Sequence, residues 1–194
     1  RLEMTYRETV NLGEKVLSMA DIAEAKTDAW LLLEMVCKID RSFYYLHMEE
    51  DMPEEQMSEY QIALRKRAEH VPLQYIVGET EFMGLKFKVN SSVLIPRQDT
   101  ETLVEEALKV VRPGMRVLDL CTGSGCIAVS LARLGGYRSV TALDVSAEAL
   151  KVAEKNAAAL LGEYDGDFRL VQSDMFAGLE TKETEAQPGQ EPGK

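Results

Sequence analysis

Histidine is nearly absent from this sequence. Only His47 and His70 occur, and neither is spaced with a cysteine or a carboxylate pair in a metal-ligand pattern, so no metal site is expected. Cysteine is scarce as well: Cys37, Cys121 and Cys126 are an odd number in a sequence with no secretion signal, which speaks against a disulfide scaffold and for a reducing compartment. Long apolar runs are missing. The longest, over 29–37, is broken by Glu34, and the opening Arg1-Leu2-Glu3-Met4 is charged and amphipathic, so no contact with a membrane and a cytoplasmic location are expected. Because the sequence opens on Arg1, a native start at Met4 is a further expectation. Positive charge is outweighed, with 22 Lys and Arg against 33 Asp and Glu, a net charge of -11 and a pI near 4.8. Bulk electrostatics would repel a phosphate backbone, so direct nucleic-acid binding is not expected. Arg65, Lys66 and Arg67 do cluster, but Glu59 and Glu69 lie beside them, which reads as a solvated helix face.

What is present organises into two parts. At 194 residues and 45% hydrophobic content the chain can pack one domain or two small ones. Residues 1–72 read as a helical bundle. Tyr6, Val10, Gly13, Val16 and Leu17 share one helical face; Asp21 with Glu24 forms a capping box; Thr27 caps a helix through Trp30, Leu33, Val36 and Cys37. Pro53 serves as a first helical residue, with Met57, Tyr60 and Leu64 as the inward stripe. After Pro72 the pattern shifts to strand formers at 73–78 and 80–89, with a turn available at Met83-Gly84, so a hairpin linker is expected over 73–98. A helix over 102–111 stops at Pro113-Gly114. From Met115 strands and helices alternate, with a third strand over 168–172, which implies an α/β domain with a parallel sheet and right-handed crossovers over 99–179. Residues 180–194 hold no aromatic or branched aliphatic side chain, carry the turn signals Pro188-Gly189 and Pro192-Gly193 among acids and amides, and are expected to form a disordered tail.

The chemistry concentrates in Val117-Leu118-Asp119-Leu120-Cys121-Thr122-Gly123-Ser124-Gly125-Cys126-Ile127-Ala128, an apolar strand that runs into a glycine turn and a small-residue helix start. Two glycines at a helix N-terminus leave room for a nucleotide to approach the backbone. The stretch satisfies the dinucleotide pattern G-x-G-x-x-A, a weak signal alone. Asp119, four residues before Gly123, would repel a pyrophosphate at the helix's positive end, whereas the sulfonium and ammonium of S-adenosylmethionine suit a carboxylate. The plain alternative is a tight turn without a ligand. Asp144 ends the next strand, 19 residues after Gly125, and can accept both hydroxyls of a ribose; that spacing serves adenosylmethionine and NAD alike. Ser146 caps the helix that follows.

The runs Pro72-Leu73-Gln74-Tyr75-Ile76-Val77-Gly78-Glu79-Thr80-Glu81-Phe82-Met83-Gly84-Leu85 and Val93-Leu94-Ile95-Pro96-Arg97-Gln98-Asp99-Thr100-Glu101-Thr102-Leu103-Val104-Glu105, with the turn from Asp119 to Gly125, closely resemble the release-factor glutamine methyltransferase family, HemK or PrmC. The resemblance reaches to about Phe176. It implies a helical domain that docks class I peptide release factors, a joining hairpin, and a Rossmann-like class I methyltransferase domain that binds S-adenosylmethionine and methylates the glutamine amide of the Gly-Gly-Gln tip. Carried over by position, it places Cys121, Thr122, Gly123, Ser124 and Gly125 against the cofactor, Asp144 on its ribose, and Met175 over adenine beside Asp174. Arg97 and Glu101 would border the active-site mouth; surface pairing at a helix start is their plain alternative.

The sequence departs from the family in three places. Cys121 stands where glycine is common, and Gln98-Asp99-Thr100 replaces a more usual Pro-Glu-Thr. The family's Asn-Pro-Pro-Tyr segment, which grips the substrate amide, is absent: the asparagines are Asn11, Asn90 and Asn156, and none precedes proline. No catalytic residue is therefore assigned. The expectation is a truncated chain with three parallel strands, an exposed apolar sheet edge and weak turnover. Alternatives are a related methyltransferase of another protein or nucleic acid amino group, and a non-catalytic release-factor-binding module; an NAD oxidoreductase is a distant further reading. The oligomeric state is left open.

Overall fold

A computed structural model describes residues 4–112 and 114–179, and divides the chain near residue 98 into two compact units. The first unit contains α1 (Tyr6–Met19), α2 (Ala25–Cys37), α3 (Arg41–His47), α4 (Glu54–Ala68), α5 (Leu73–Val77), β1 (Glu79–Phe82) and β2 (Leu85–Lys88). Its core is built by α1, α2 and α4, with Leu17, Ala29, Leu32, Leu33 and Tyr60 fully enclosed. Each enclosed leucine contributes about 2 kcal/mol by leaving water. Gly13 is the reason α1 can approach: a side chain there would collide with the Tyr60 hydroxyl, which donates to the Ala29 carbonyl at 3.0 Å. Across α2 and α4 the Arg67 guanidinium meets the buried Asp28 carboxylate at 2.7 Å.

Several local signals act elsewhere than the sequence suggested. The capping box forms at Thr5 and Glu8, not at Asp21 and Glu24: the Thr5 hydroxyl accepts from the Glu8 amide at 3.2 Å, and the Glu8 carboxylate accepts from the Thr5 amide at 2.9 Å. Asp21 instead takes a left-handed turn with φ 57°, Glu24 sits at the α2 N-cap without a side-chain bond, and Thr27 lies inside the helix. Pro53 is the N-cap of α4 rather than its first residue. Residues 73–77 are helical, against their strand-forming composition. Pro72 fixes φ at -52° before α5, Gly78 stops it at φ 83°, and Leu73 and Ile76, three apart, pack on the helical core. The antiparallel hairpin is confined to β1 and β2, with Phe82 and Phe87 buried edge to face.

The second unit contains α6 (Gln98–Val110), β3 (Arg116–Leu120), α7 (Cys126–Gly135), β4 (Ser139–Asp144), α8 (Ala147–Leu160) and β5 (Asp167–Gln172). The three strands form the expected parallel sheet in the order β3-β4-β5. Helix α7 packs on β3 and β4, and α8 on β4 and β5. Central β4 is the most enclosed strand, with Val140, Ala142 and Leu143 buried, whereas Leu118 of the edge strand β3 is 42% exposed. Helix α6 begins four residues before the expected start, and the proposed stop at Pro113 and the tail at 180–194 lie outside the described residues. Among the described residues no helix is long and apolar enough to cross a membrane.

Candidate cofactor site

Parallel pairing brings the carboxyl ends of all three strands to one edge, and backbone bonds extend that pairing by one step. The Thr122 amide donates to the Leu143 carbonyl at 2.8 Å, and the Ser173 amide to the Asp144 carbonyl at 3.0 Å. Asp144 therefore lies between the β3 loop and the segment after β5. The loop has three left-handed residues within five: Cys121 at φ 61°, Gly123 at 57° and Gly125 at 79°. Gly125 is also a close approach, since a Cβ there would lie 3.1 Å from Cβ of Ala153 on α8. Gly123 has nothing within 4 Å of its virtual Cβ, so its outer face is open to a ligand. The Ser124 carbonyl accepts from the fully buried Asn156 side chain at 2.8 Å, which ties the loop to α8.

The two carboxylates have different tasks. Asp144 is half-buried; one oxygen accepts from the Gly123 amide and the other from the Ser146 amide, both at 2.9 Å. Each oxygen retains acceptor capacity for a hydroxyl. Asp119, only 9% exposed, accepts from the Thr122 hydroxyl at 2.6 Å and from the Ala128 amide. Its bonds run to the loop and to the first turn of α7, so the Asp119 carboxylate braces the turn. Burial raises its pKa above the ordinary carboxylate value, the hydrogen bonds from Thr122 and Ala128 oppose that rise, and the charge of Asp144 adds to it. By occupying a first-turn amide of α7, Asp119 takes a donor that a pyrophosphate would need and adds negative charge there.

The other expected residues are spread more widely. Thr122 and Ser124 are buried and Cys121 is exposed. Met175 is 50% exposed at φ 50° and is no part of the core; the Ser173 hydroxyl donates to its carbonyl at 2.8 Å. Asp174 beside it is exposed. Glu101 is half-buried in the first turn of α6, and Arg97 is exposed in the first unit. Asp119, Thr122, Gly123 and Asp144 are thus the bonded nucleus of the site. Asn156 and Ala153 were not picked out from the sequence as site residues. Their signal was an amide and a small residue on the apolar stripe of α8, with Ala149 and Val152.

A glycine loop and two carboxylates at the carboxyl edge of a parallel sheet are the setting of a nucleotide-type cofactor site, and residues 117–186 match the methyltransferase domain family. Residues 8–78 match the PrmC N-terminal domain. The curated proteins this chain resembles are release factor glutamine methyltransferases. It is 38% identical to the release factor glutamine methyltransferase of Koribacter versatilis over 91% of this chain and 62% of that protein. Its identity to the one of Cereibacter sphaeroides is 42%, over 84% of this chain and 57% of that protein. The chain thus spans about three fifths of the length of the curated relatives it matches. A ribosomal protein L11 methylase from Lactobacillus delbrueckii subsp. bulgaricus is 35% identical over 43% of this chain and 42% of that one, with a TM-score of 0.37, too limited an overlap to carry an argument.

Proposed function

We propose that this chain is the release-factor-docking and cofactor-binding portion of an S-adenosylmethionine-dependent N-methyltransferase whose substrate is the Gly-Gly-Gln glutamine amide of class I peptide release factors, in the cytoplasm. The observation that carries the cofactor assignment is the arrangement of Asp144 and Asp119 about an open Gly123. Asp144 holds the Gly123 amide and has acceptor capacity for ribose hydroxyls. Asp119 fixes the loop and the α7 start, and its charge with that of Asp144 favours a cationic ligand. When bound, adenosylmethionine supplies an electrophilic methyl group on its sulfonium. Met175, exposed beside the Asp144 strand end, would cover the adenine ring in this reading. The release-factor assignment rests on the similarity to the named relatives and on the PrmC N-terminal match.

An amide nitrogen is a poor nucleophile because its lone pair is delocalised, so transfer needs groups that accept its hydrogens and align it. These 194 residues contain no Asn-Pro-Pro-Tyr segment to do so. The test is transfer of a labelled methyl group to a purified class I release factor, beside calorimetry with adenosylmethionine. The expected result is cofactor binding by the wild-type chain, a loss of about tenfold or more in Asp144→Ala, and little turnover. Undiminished binding by Asp144→Ala would contradict the cofactor assignment, and rapid turnover would contradict the catalytic part.

A further inference from the structure

Helix α3 is rich in large aromatic and apolar side chains yet buries none of its residues. Phe43, Tyr45 and Leu46 are 39%, 62% and 81% exposed. Its shape does not depend on enclosure: the Asp40 carboxylate caps it by accepting from the Phe43 amide at 2.7 Å, Tyr44 meets Trp30 edge to face, and Phe43 stacks on His47. A contiguous set of this kind marks an interaction surface. Beside it, within the same unit, lies a cleft of about 510 Å³ whose wall includes Trp30, Tyr44 and Tyr45.

The cleft is cationic in a chain of net charge -11. Arg7, Lys26 and Arg41 line it against a single acid, Glu14. Arg7 is already paired with Glu49 at 2.6 Å, but Lys26 and Arg41 have no carboxylate partner among the described residues, and the Arg41 guanidinium lies 4.5 Å above the Trp30 ring. A ring beneath a guanidinium holds it in place while leaving its donors free for an incoming acid. Two unpaired cations beside Tyr45 and Leu46 match a short segment that carries carboxylates next to an apolar side chain. They do not form the extended basic track that a phosphate chain requires.

We propose that this face of the first unit, the α3 side chains Tyr45 and Leu46 with the cations Lys26 and Arg41, is where the protein partner docks, through an acidic and apolar segment of that partner. The proposal rests on the reading that the helical unit binds a class I release factor, and it names the surface and its chemistry. Docking here needs none of the cofactor loop.

The test is calorimetry of the 194-residue chain with a purified class I release factor, at two salt concentrations. The variants are Lys26→Glu, Tyr45→Ala, and Lys26→Glu with Leu46→Ser, all changes of exposed side chains, with circular dichroism and unchanged adenosylmethionine affinity as controls for folding. The expected result is a loss of about tenfold for each single variant and more for the pair, with wild-type affinity falling as salt rises. Wild-type affinity in all three folded variants overturns this surface and leaves the docking reading standing. Absence of any binding by the wild-type chain overturns the docking reading and this surface with it. Loss of affinity for a single-stranded RNA oligonucleotide in the variants, with release-factor binding unchanged, assigns the face to nucleic acid and overturns the proposal.

Discussion

Individual side chains at the loop carry the sharpest consequences. The three cysteines are free, and only Cys121 is exposed. Burial pushes the Cys37 thiol up to about 11, with the charge of Glu59 adding to the rise, and burial likewise raises Cys126. A thiol reagent at neutral pH should therefore modify Cys121 first and the other two only on unfolding, and adenosylmethionine should slow that first phase. Counting modified thiols against time with and without cofactor checks both statements. Asp119 is the second case. Its folded pKa is raised, so deprotonation costs more in the folded chain than in the unfolded one, and stability declines as pH climbs from the unfolded carboxylate value, about 3.9, through the folded value. Asp119→Asn removes that decline and keeps an acceptor for Thr122. Denaturant melts from acid to neutral pH should show the variant losing less stability than the wild type across that window, and calorimetry should show it binding adenosylmethionine more weakly. Equal pH profiles would contradict the burial argument.

Among the elements, packing overrules local preference wherever the two disagree. Residues 73–77 look like a strand by composition and form α5, because the contacts of Leu73 and Ile76 with the helical core require a spacing of three. The α1 cap was missed for a related reason: Thr5-x-x-Glu8 and Asp21-x-x-Glu24 are equivalent as text, and only the left-handed turn at Asp21 separates them. The second unit was far more legible. Alternating strands and helices, the glycine turn and the Ser146 cap all appear near the expected residues, since each is dictated by short-range chemistry. The hydrogen bonds of Asp119 were not legible, because they depend on Ala128 and Thr122 closing around it in space. At the α2 and α4 contact, Arg67→Ala leaves Asp28 buried without its partner and should cost about 3 kcal/mol, measurable as a lower urea midpoint. A cost near zero would show that water replaces the guanidinium there.

For the whole molecule, the two units divide the labour proposed here: the first presents an aromatic and cationic face, the second a loop at the sheet's carboxyl edge. Among the described residues β3 is an edge strand of its sheet and keeps Leu118 exposed. The central claim concerns the ligand of the second unit. Asp119 occupies a donor of α7 and, with Asp144, sets a negative field at a loop whose backbone would otherwise suit a dinucleotide. Equilibrium dialysis of the wild-type chain against S-adenosylmethionine and NAD, each alone and then in competition, tests that claim most directly. The account predicts saturable retention of adenosylmethionine that excess NAD does not displace; retention of NAD in preference to adenosylmethionine would contradict it.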